Sequence, residues 1–248
     1  MGTRRGASAP PWRRPPQRLD LSCDQVHVWQ ASLLLGPARL QTLLETVSAE
    51  EQKRAEALRR EEDRRRFITA HGLLRTILGL YLEVPPGEVE LARSPSGKPR
   101  LAAHAGDLRF NMSHSHELAL IAVAMGREVG VDVERIRAAL PMREIVGRFL
   151  PGPEADALLA LPEERLIGAF FKAWTRHEAY VKGIGRGLLP PPGPLDPPTA
   201  PSDAQDAPLH AERWSVVNLR VGSGYAAALA VEGGGWELQC YRRREPRR

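Results

Sequence analysis

Two acidic segments carry side chains whose types and spacing could bind a metal ion. The first reads G-V-D-V-E and has the pattern of a strand, so that Asp132 and Glu134 should share one face. The second has the pattern of a helix, in which residues four apart stack, so that Trp174, Glu178 and Lys182 should align. If strand and helix pack together, three carboxylates converge. Such oxygen ligands suit a divalent cation such as Mg²⁺, which usually completes its shell with water and phosphate oxygens. With a lysine one turn away, the pattern indicates phosphoryl or phosphodiester transfer.

Each half of this pattern also has a structural interpretation. A D-x-E pair on a strand is common on solvated faces, and Glu178 with Lys182 fits a surface ion pair one helical turn apart. The spacings alone leave both interpretations open.

The elements that must position these side chains follow from the surrounding pattern. We expect a long helix over roughly Glu163 to Lys182 and another helical stretch from about Ser48 to Leu82, with Ser48 and Glu51 forming a capping box. Strands are expected at these places: Gln25–Ala31, Leu118–Met125, Trp214–Val221, Tyr225–Val231 and Trp236–Tyr241. Strands and helices interleave, which predicts an α+β architecture.

Composition narrows the class of protein. The chain has 248 residues and a net charge of +5, but arginines near its two ends account for more than that charge, so the body is slightly acidic. This distribution disfavours nucleic-acid binding, which needs a basic cluster on one folded surface. We expect neither a membrane span nor a secretory signal, because no apolar run is long enough and the start has no apolar centre. Cys23 and Cys240 fit free thiols in a reducing compartment, which predicts a cytoplasmic protein.

A further motif precedes the first acidic segment. The run F-N-M-S-H-S-H over Phe110–His116 leads into the apolar strand, and G-I-G-R-G-L over Gly183–Leu188 follows the second acid. In order and spacing this set resembles the 4′-phosphopantetheinyl transferases, in particular the larger type that activates non-ribosomal peptide and polyketide synthases. The family patterns are N-x-S-H-S, G-x-D-x-E and W-x-x-K-E-A-x-x-K-x-x-G-x-G-L, and the chain departs from them at one position.

The resemblance implies an architecture and a reaction. It implies two similar lobes related by a pseudo-twofold axis, with the cofactor in the cleft between them and with the protein a monomer. We expect a disordered basic leader over 1–18, an N-terminal lobe over 19–126, a C-terminal lobe over 127–241 with a mobile proline-rich loop over 190–208, and a basic tail over 242–248. The implied reaction transfers 4′-phosphopantetheine from coenzyme A to a serine of an acyl, peptidyl or aryl carrier protein and releases 3′,5′-ADP.

The resemblance also assigns roles to the acidic segments and the serine–histidine motif. Asp132, Glu134 and Glu178 would hold Mg²⁺, with Mn²⁺ as an alternative, and Glu178 would also be the base for the serine hydroxyl. Lys182 would stabilise or protonate the leaving phosphate. His114 would donate to a pyrophosphate oxygen and Ser113 would contact the cofactor; the alternative, a transition-metal pair of His114 with His116, has no third ligand suggested by spacing. Gly185 and Gly187 would serve the turn after the helix.

Basic residues upstream are expected to contact the nucleotide. The family places such residues against the 3′-phosphate of coenzyme A, which here implicates Arg65 and Arg66, with His71 and Arg75 behind them. These arginines belong to the mixed-charge run Arg59–Arg66. Exposure of one helix face to solvent would explain about half of that run. Lys98, in a G-K-P turn, matches a family lysine near the nucleotide.

The departure is His177, where the family usually has lysine. A neutral imidazole donates one hydrogen bond but carries no full charge at pH 7. If the family lysine contacts phosphate, cofactor binding here should be weaker or should depend more on Arg176 or Arg186.

Two other classes of function compete with transfer. A metal-dependent phosphohydrolase would use the same carboxylates with water as nucleophile. A non-catalytic nucleic-acid binder would be held by the basic ends, but an intact acid triad argues against it.

Overall fold

The computed structural model describes residues 9–102, 106–137, 140–150, 152–185, 209–211 and 214–243. The described chain is a mixed α+β structure. Its strands are β1 (Gln25–Ser32), β2 (Leu91–Arg93), β3 (Pro99–Leu101), β4 (Leu108–Ser115), β5 (Leu118–Met125), β6 (Val129–Arg135), β7 (Leu209–Ala211), β8 (Trp214–Asn218), β9 (Tyr225–Glu232) and β10 (Glu237–Arg242). Its helices are α1 (Pro37–Leu44), α2 (Ala49–Glu56), α3 (Glu61–Leu82), α4 (Met142–Phe149), α5 (Gly152–Leu159) and α6 (Glu163–Ile184), with a 3₁₀ turn at Pro86–Glu88.

Most of these elements were predicted from the sequence, and one prediction was wrong. The expected helix from Ser48 to Leu82 is two helices, because α2 ends at Glu56 and Arg60 adopts an extended conformation before α3. The predicted capping box is present: the Ser48 hydroxyl accepts from the Glu51 N–H at 3.2 Å, and the Glu51 carboxylate accepts from the Ser48 N–H at 2.8 Å. The break lets α2 fold back, so that Glu51 also contacts α3.

The strands form two four-stranded sheets and a small hairpin. The first sheet has the order β10-β1-β5-β4, the second has the order β6-β9-β8-β7, and β2 pairs with β3. Strand β10 runs parallel to β1, so the last strand of the chain completes the first sheet. This differs from the division at residue 127, which placed β10 with the C-terminal part.

The main core lies between the two sheets. Successive side chains of β1 point to opposite faces of the first sheet. Val26 and Val28 therefore face the second sheet, while Trp29 packs on the other side against α3. Strand β5 is buried on both faces, in agreement with its continuous apolar sequence. Helix α6 covers the other face of the second sheet, where Ala179 packs with Trp214.

Part of the predicted disordered leader packs against the first sheet. The Arg13 N–H donates to the Cys240 carbonyl at 2.9 Å, and the Arg13 carbonyl accepts from the Arg242 N–H at 2.8 Å. The Trp12 indole N–H donates to the Arg220 carbonyl. Residues 1–8, the loop over 190–208 and the tail beyond 243 lie outside the described residues.

Among the described helices, none combines the length and the apolar character needed to cross a membrane.

Candidate active site

Side chains of β4 join the two sheets at the site. β6 pairs with β9 along one edge, and along the other its backbone N–H groups are satisfied by alternate side chains of β4. The three bonds run from Val131 N–H to Asn111 Oδ1 at 2.9 Å, from Val133 N–H to Ser113 Oγ at 3.4 Å and from Arg135 N–H to Ser115 Oγ at 3.1 Å. The N-x-S-x-S spacing has a physical reason here, because period two places all three side chains on one face.

The same side chains hold the two acids of β6. The Ser113 hydroxyl donates to Asp132 Oδ1 at 2.8 Å, and the Ser115 hydroxyl donates to Glu134 Oε2 at 2.9 Å. Asp132 is 1% exposed, whereas Glu134 is half-buried. Both carboxylates therefore lie on one face of β6, as the strand pattern predicted, and that face meets β4.

Helix α6 approaches β6 closely because of two glycines. A Cβ on Gly130 would lie 2.0 Å from the Ala179 carbonyl oxygen and 2.3 Å from the Gly183 nitrogen. A Cβ on Gly183 would lie 2.5 Å from the Trp214 ring. The glycine that opens the G-x-D-x-E motif thus allows the contact between strand and helix, which the sequence analysis did not assign to it.

This contact brings Lys182 onto the acids of β6. The Lys182 ammonium lies 2.5 Å from Asp132 Oδ1 and 3.0 Å from Ser113 Oγ. Glu178, one helical turn earlier, is 8% exposed. The ion pair thus lies between the helix and the strand and does not join Glu178 to Lys182 along the helix surface.

The carboxylates repel one another. Burial raises the pKa of Glu178, the charges of Asp132 and Glu134 raise it further, and the charge of Lys182 opposes them. Burial and the charge of Asp132 likewise raise the pKa of Glu134, against the hydrogen bond from Ser115 and the charges of Lys182 and Arg137. A second cation beside these groups would relieve that repulsion.

The chemistry of the group fits a divalent cation. Asp132 Oδ2 is buried and has no hydrogen-bond partner, which leaves a hard oxygen ligand available beside Lys182. Across the described ranges, no three His, Cys, Asp or Glu side chains are arranged closely enough to hold a metal by themselves. Mg²⁺ is commonly held by one or two carboxylates with water and substrate phosphate, and the site provides acids for that arrangement.

Several basic groups act on His114. Partial removal from water lowers the pKa of His114, and the charges of His71, Lys182 and Arg66 lower it further. These groups are therefore close enough to act on one another. An anion placed among them would be stabilised.

His71 and Arg75 are anchored by a glutamate that the sequence analysis did not assign to the site. Glu51 accepts from His71 Nδ1 and from Arg75 Nε, each at 2.8 Å. Burial tends to raise the pKa of Glu51, but hydrogen bonds from His71 and the Ser48 N–H and the charges of His71 and Arg75 outweigh it and lower the pKa to about 2. Arg75 is 4% exposed and also donates to the Val89 carbonyl, which makes it a structural residue.

The two arginines expected at the 3′-phosphate differ in their surroundings. Arg66 forms ion pairs with Glu62 and Asp63 on the same helix, while Arg65 is exposed. An open cavity of about 820 Å³ is bordered by α2, α3, the β2–β3 hairpin and β4, and neither Arg65 nor Arg66 lines it. Its lining includes Arg54, His71, Arg75, Arg93, Asn111 and Met112.

Lys98, predicted to lie near the nucleotide, makes three hydrogen bonds within the protein. Its ammonium donates to Glu128 Oε2 at 2.6 Å, to the Gly183 carbonyl at 2.8 Å and to the Val129 carbonyl at 3.2 Å. A lysine ammonium has three protons, so these bonds use its full donor capacity. Lys98 thereby ties the hairpin to the start of β6 and the end of α6.

His177, where the chain departs from the family pattern, packs against an aromatic side chain. Its ring stacks on Trp174 with centroids 6.5 Å apart, its Nδ1 is buried without a hydrogen-bond partner, and burial lowers its pKa. Arg176 donates to Asn218 Oδ1 at 3.3 Å, and Arg186, Gly187 and Leu188 lie outside the described residues. The departure at His177 is therefore accommodated by packing against Trp174.

Two family models match the chain. One, described as the N-terminal part of 4′-phosphopantetheinyl transferase, matches residues 29–126, and the other, described as the 4′-phosphopantetheinyl transferase superfamily, matches residues 128–230.

Curated relatives agree with these matches. The 4′-phosphopantetheinyl transferase HetI of Nostoc sp. is 39% identical over 231 residues, which cover 91% of this chain and 95% of the relative. The 4′-phosphopantetheinyl transferase Sfp of Bacillus subtilis is 25% identical over 145 residues, covering 58% of this chain and 63% of the relative. The human L-aminoadipate-semialdehyde dehydrogenase-phosphopantetheinyl transferase is 25% identical over 164 residues, which cover 61% of this chain and 53% of the relative. None of these relatives is named as a hydrolase, so they give the phosphohydrolase alternative no support.

Proposed function

The chain belongs to the 4′-phosphopantetheinyl transferase superfamily, and from that premise we propose that it transfers 4′-phosphopantetheine from coenzyme A to a serine of an apo carrier protein. The serine oxygen forms a bond to the β-phosphorus of coenzyme A. The bond from that phosphorus to the bridging oxygen breaks, and the bridging oxygen leaves on 3′,5′-ADP. The observation that carries the proposal is the meeting of Asp132, Glu134, Glu178 and Lys182 at the contact of β6 with α6.

The divalent cation would be held by carboxylates together with water and the pyrophosphate of coenzyme A, because no three described His, Cys, Asp or Glu side chains are arranged to hold a metal by themselves. Asp132, Glu134 and Glu178 supply hard oxygens, and the buried, unpartnered Asp132 Oδ2 supports this role. Bound Mg²⁺, or Mn²⁺ in its place, would neutralise the pyrophosphate and polarise its oxygens.

Glu178 is our candidate for the base that takes the serine proton. Its burial and its acidic neighbours raise its pKa, which moves it towards the range in which a carboxylate accepts a proton efficiently. Proton transfer could be direct or pass through one water.

Basic groups on the other side would bind the phosphates. Lys182 is within reach of the acids and of His114, so it can pair with the phosphate that leaves, and His114 can donate to a pyrophosphate oxygen. His71, which lines the cavity of about 820 Å³, would bind the 3′-phosphate together with Arg65 and Arg66 of the same helix. Ser113 and Lys98 would act mainly by positioning Asp132 and the hairpin, because their polar atoms are engaged in those contacts.

The wider features of the family complete the proposal. The two sheets would be the centres of two similar lobes related by a pseudo-twofold axis, with coenzyme A in the cleft between them. The protein would act as a cytoplasmic monomer on acyl, peptidyl or aryl carrier proteins of polyketide and non-ribosomal peptide synthesis, without nucleic acid or membrane.

Intact mass spectrometry tests the reaction. An apo carrier protein incubated with this protein, Mg²⁺ and coenzyme A should gain the mass of one phosphopantetheine, with 3′,5′-ADP released in equal amount. The Asp132→Ala protein is the control and should give no gain, because the pyrophosphate charge is then less well compensated. Release of 3′,5′-ADP without a carrier protein would instead indicate hydrolysis.

A further inference from the structure

Ser115 connects the two sheets at the edge of the site. It is the last residue of β4, and its hydroxyl accepts from the Arg135 N–H at 3.1 Å while donating to Glu134 Oε2 at 2.9 Å. A hydroxyl has one proton and two acceptor positions, so it can make both bonds at once. The position of the Glu134 carboxylate is thereby fixed relative to the backbone of β6.

The two acids of β6 differ in how they are held. Asp132 is almost fully buried and is bonded to both Ser113 and Lys182. Glu134 has one more rotatable bond, lies near the end of the strand and is only half-buried. Its orientation therefore depends more strongly on the hydrogen bond from Ser115.

We propose that Ser115 is a positioning residue, which orients Glu134 for the divalent cation of the proposed transfer reaction. The inference rests on that proposed function, since it takes Glu134 as a metal ligand. Hydrogen-bond partners of metal-binding side chains fix the ligand's orientation, and their loss commonly lowers metal affinity or activity by about 10–100-fold.

Three variants separate this role from a general structural one. Ser115→Ala removes the hydroxyl, and Ser115→Thr keeps it. Ser215→Ala is the control, because Ser215 on β8 is likewise a strand serine whose hydroxyl makes a hydrogen bond, here to the Gly233 carbonyl at 2.9 Å. Each variant of the full chain is titrated with Mn²⁺, with and without coenzyme A, and its thermal unfolding is recorded to verify folding.

We expect Ser115→Ala to bind Mn²⁺ about tenfold more weakly than the wild type. Ser115→Thr should recover most of that affinity, and Ser215→Ala should bind as the wild type does. Wild-type affinity in folded Ser115→Ala would overturn the proposal, as would an equal loss in Ser215→Ala or no recovery in Ser115→Thr.

The titration is independent of the transfer reaction. If the carrier protein is not modified but Ser115→Ala still binds Mn²⁺ more weakly, the proposed function fails and the role of Ser115 stands. If the wild type modifies the carrier protein but binds Mn²⁺ with the same affinity as Ser115→Ala, the role of Ser115 fails alone.

Discussion

The Lys182 ammonium lies 2.5 Å from Asp132 Oδ1, so that a lysine of α6 pairs with a buried carboxylate of β6. Burial and neighbouring acids raise the pKa values of Glu134 and Glu178, and the charge of Lys182 partly opposes that rise. Lys182 thus pairs with one of the three acids, and its charge acts on the other two.

Replacement of Lys182 should make the fold depend on metal. Lys182→Met leaves the buried Asp132 without its partner, and we expect a loss of about 3 kcal/mol in the free energy of unfolding. Because a divalent cation can replace the missing charge, Mg²⁺ should restore more stability to this variant than to the wild type. Denaturant unfolding with and without Mg²⁺ measures both effects.

Lys172→Met provides the control for this prediction, because Lys172 is an exposed lysine of the same helix. It should unfold like the wild type. Equal stability and equal response to Mg²⁺ in Lys182→Met would mean that the ion pair contributes little.

Glu178→Gln should separate proton transfer from binding. The amide keeps an oxygen but cannot accept a proton, so we expect kcat to fall by about 100-fold or more while the affinity for coenzyme A is retained. Wild-type kcat should rise with pH through the raised pKa of Glu178, since the base must be ionised. Steady-state kinetics across pH and coenzyme A titration test this.

Glu164→Gln, at an exposed acid in the first turn of α6, should have no effect. Lower affinity with unchanged kcat would make Glu178 a binding residue.

Gly130→Ala should disrupt the contact between β6 and α6. Its Cβ would lie 2.0 Å from the Ala179 carbonyl oxygen. Because the Cβ is fixed by the backbone of β6 and the oxygen by the backbone of α6, no side-chain rotation can relieve the clash. We expect a loss of about 3 kcal/mol or more in unfolding free energy. Gly147→Ala in α4, where a Cβ meets no atom within 4 Å, should instead be neutral or stabilising by about 0.5–1 kcal/mol. Chemical denaturation compares them, and equal effects would contradict the assigned role of Gly130.

A buried histidine should make the fold sensitive to acid. His27 is 1% exposed, its Nδ1 lies 2.9 Å from the Tyr81 hydroxyl, and that hydroxyl accepts from the Trp29 indole N–H. Burial lowers the pKa of His27 from 6.5 to about 4, against the charge of Asp20.

Because the pKa is lower in the folded state, the unfolded state binds the proton more tightly. The contribution of His27 to stability is therefore complete above pH 6.5 and declines by about 3 kcal/mol as the pH falls to 4. Unfolding of the wild type and His27→Gln at several pH values measures this decline. The variant should lose less stability between pH 6.5 and 4, and identical slopes would exclude His27 as the cause.

The structure gives a specific expectation for the position where the chain departs from the family pattern. Because the His177 ring packs on Trp174, we expect His177→Lys to leave the affinity for coenzyme A unchanged. Burial lowers the pKa of His177, so a change from pH 7 to pH 6 should also have little effect through this residue. Titration of coenzyme A into both proteins tests this, and tighter, salt-sensitive binding by the Lys variant would show that position 177 reaches phosphate.

Much of the architecture followed from local pattern. The alternation of β1, the apolar run of β5 and the helical period of α6 predicted these elements. The reason is that the spacing of apolar residues reports which faces of a strand or helix are buried. The pairing of Asp132 with Glu134 on one face followed for the same reason. The break between α2 and α3 was missed, since charged residues on both sides of it fit a continuous helix equally well.

The sequence by itself determined which side chains are candidates for the chemistry and which family the motifs resemble. Only the tertiary structure decided what those side chains contact. Lys98 and Ser113 were predicted to contact the cofactor, and the structure adds that Lys98 joins three segments and that Ser113 joins β4 to Asp132. The contacts of Glu51 with α3 and of Ser115 with β6 could not be predicted from local pattern. The physical reason is that hydrogen bonds and ion pairs between distant segments depend on how sheets and helices pack, and that packing leaves no periodic signal in the sequence.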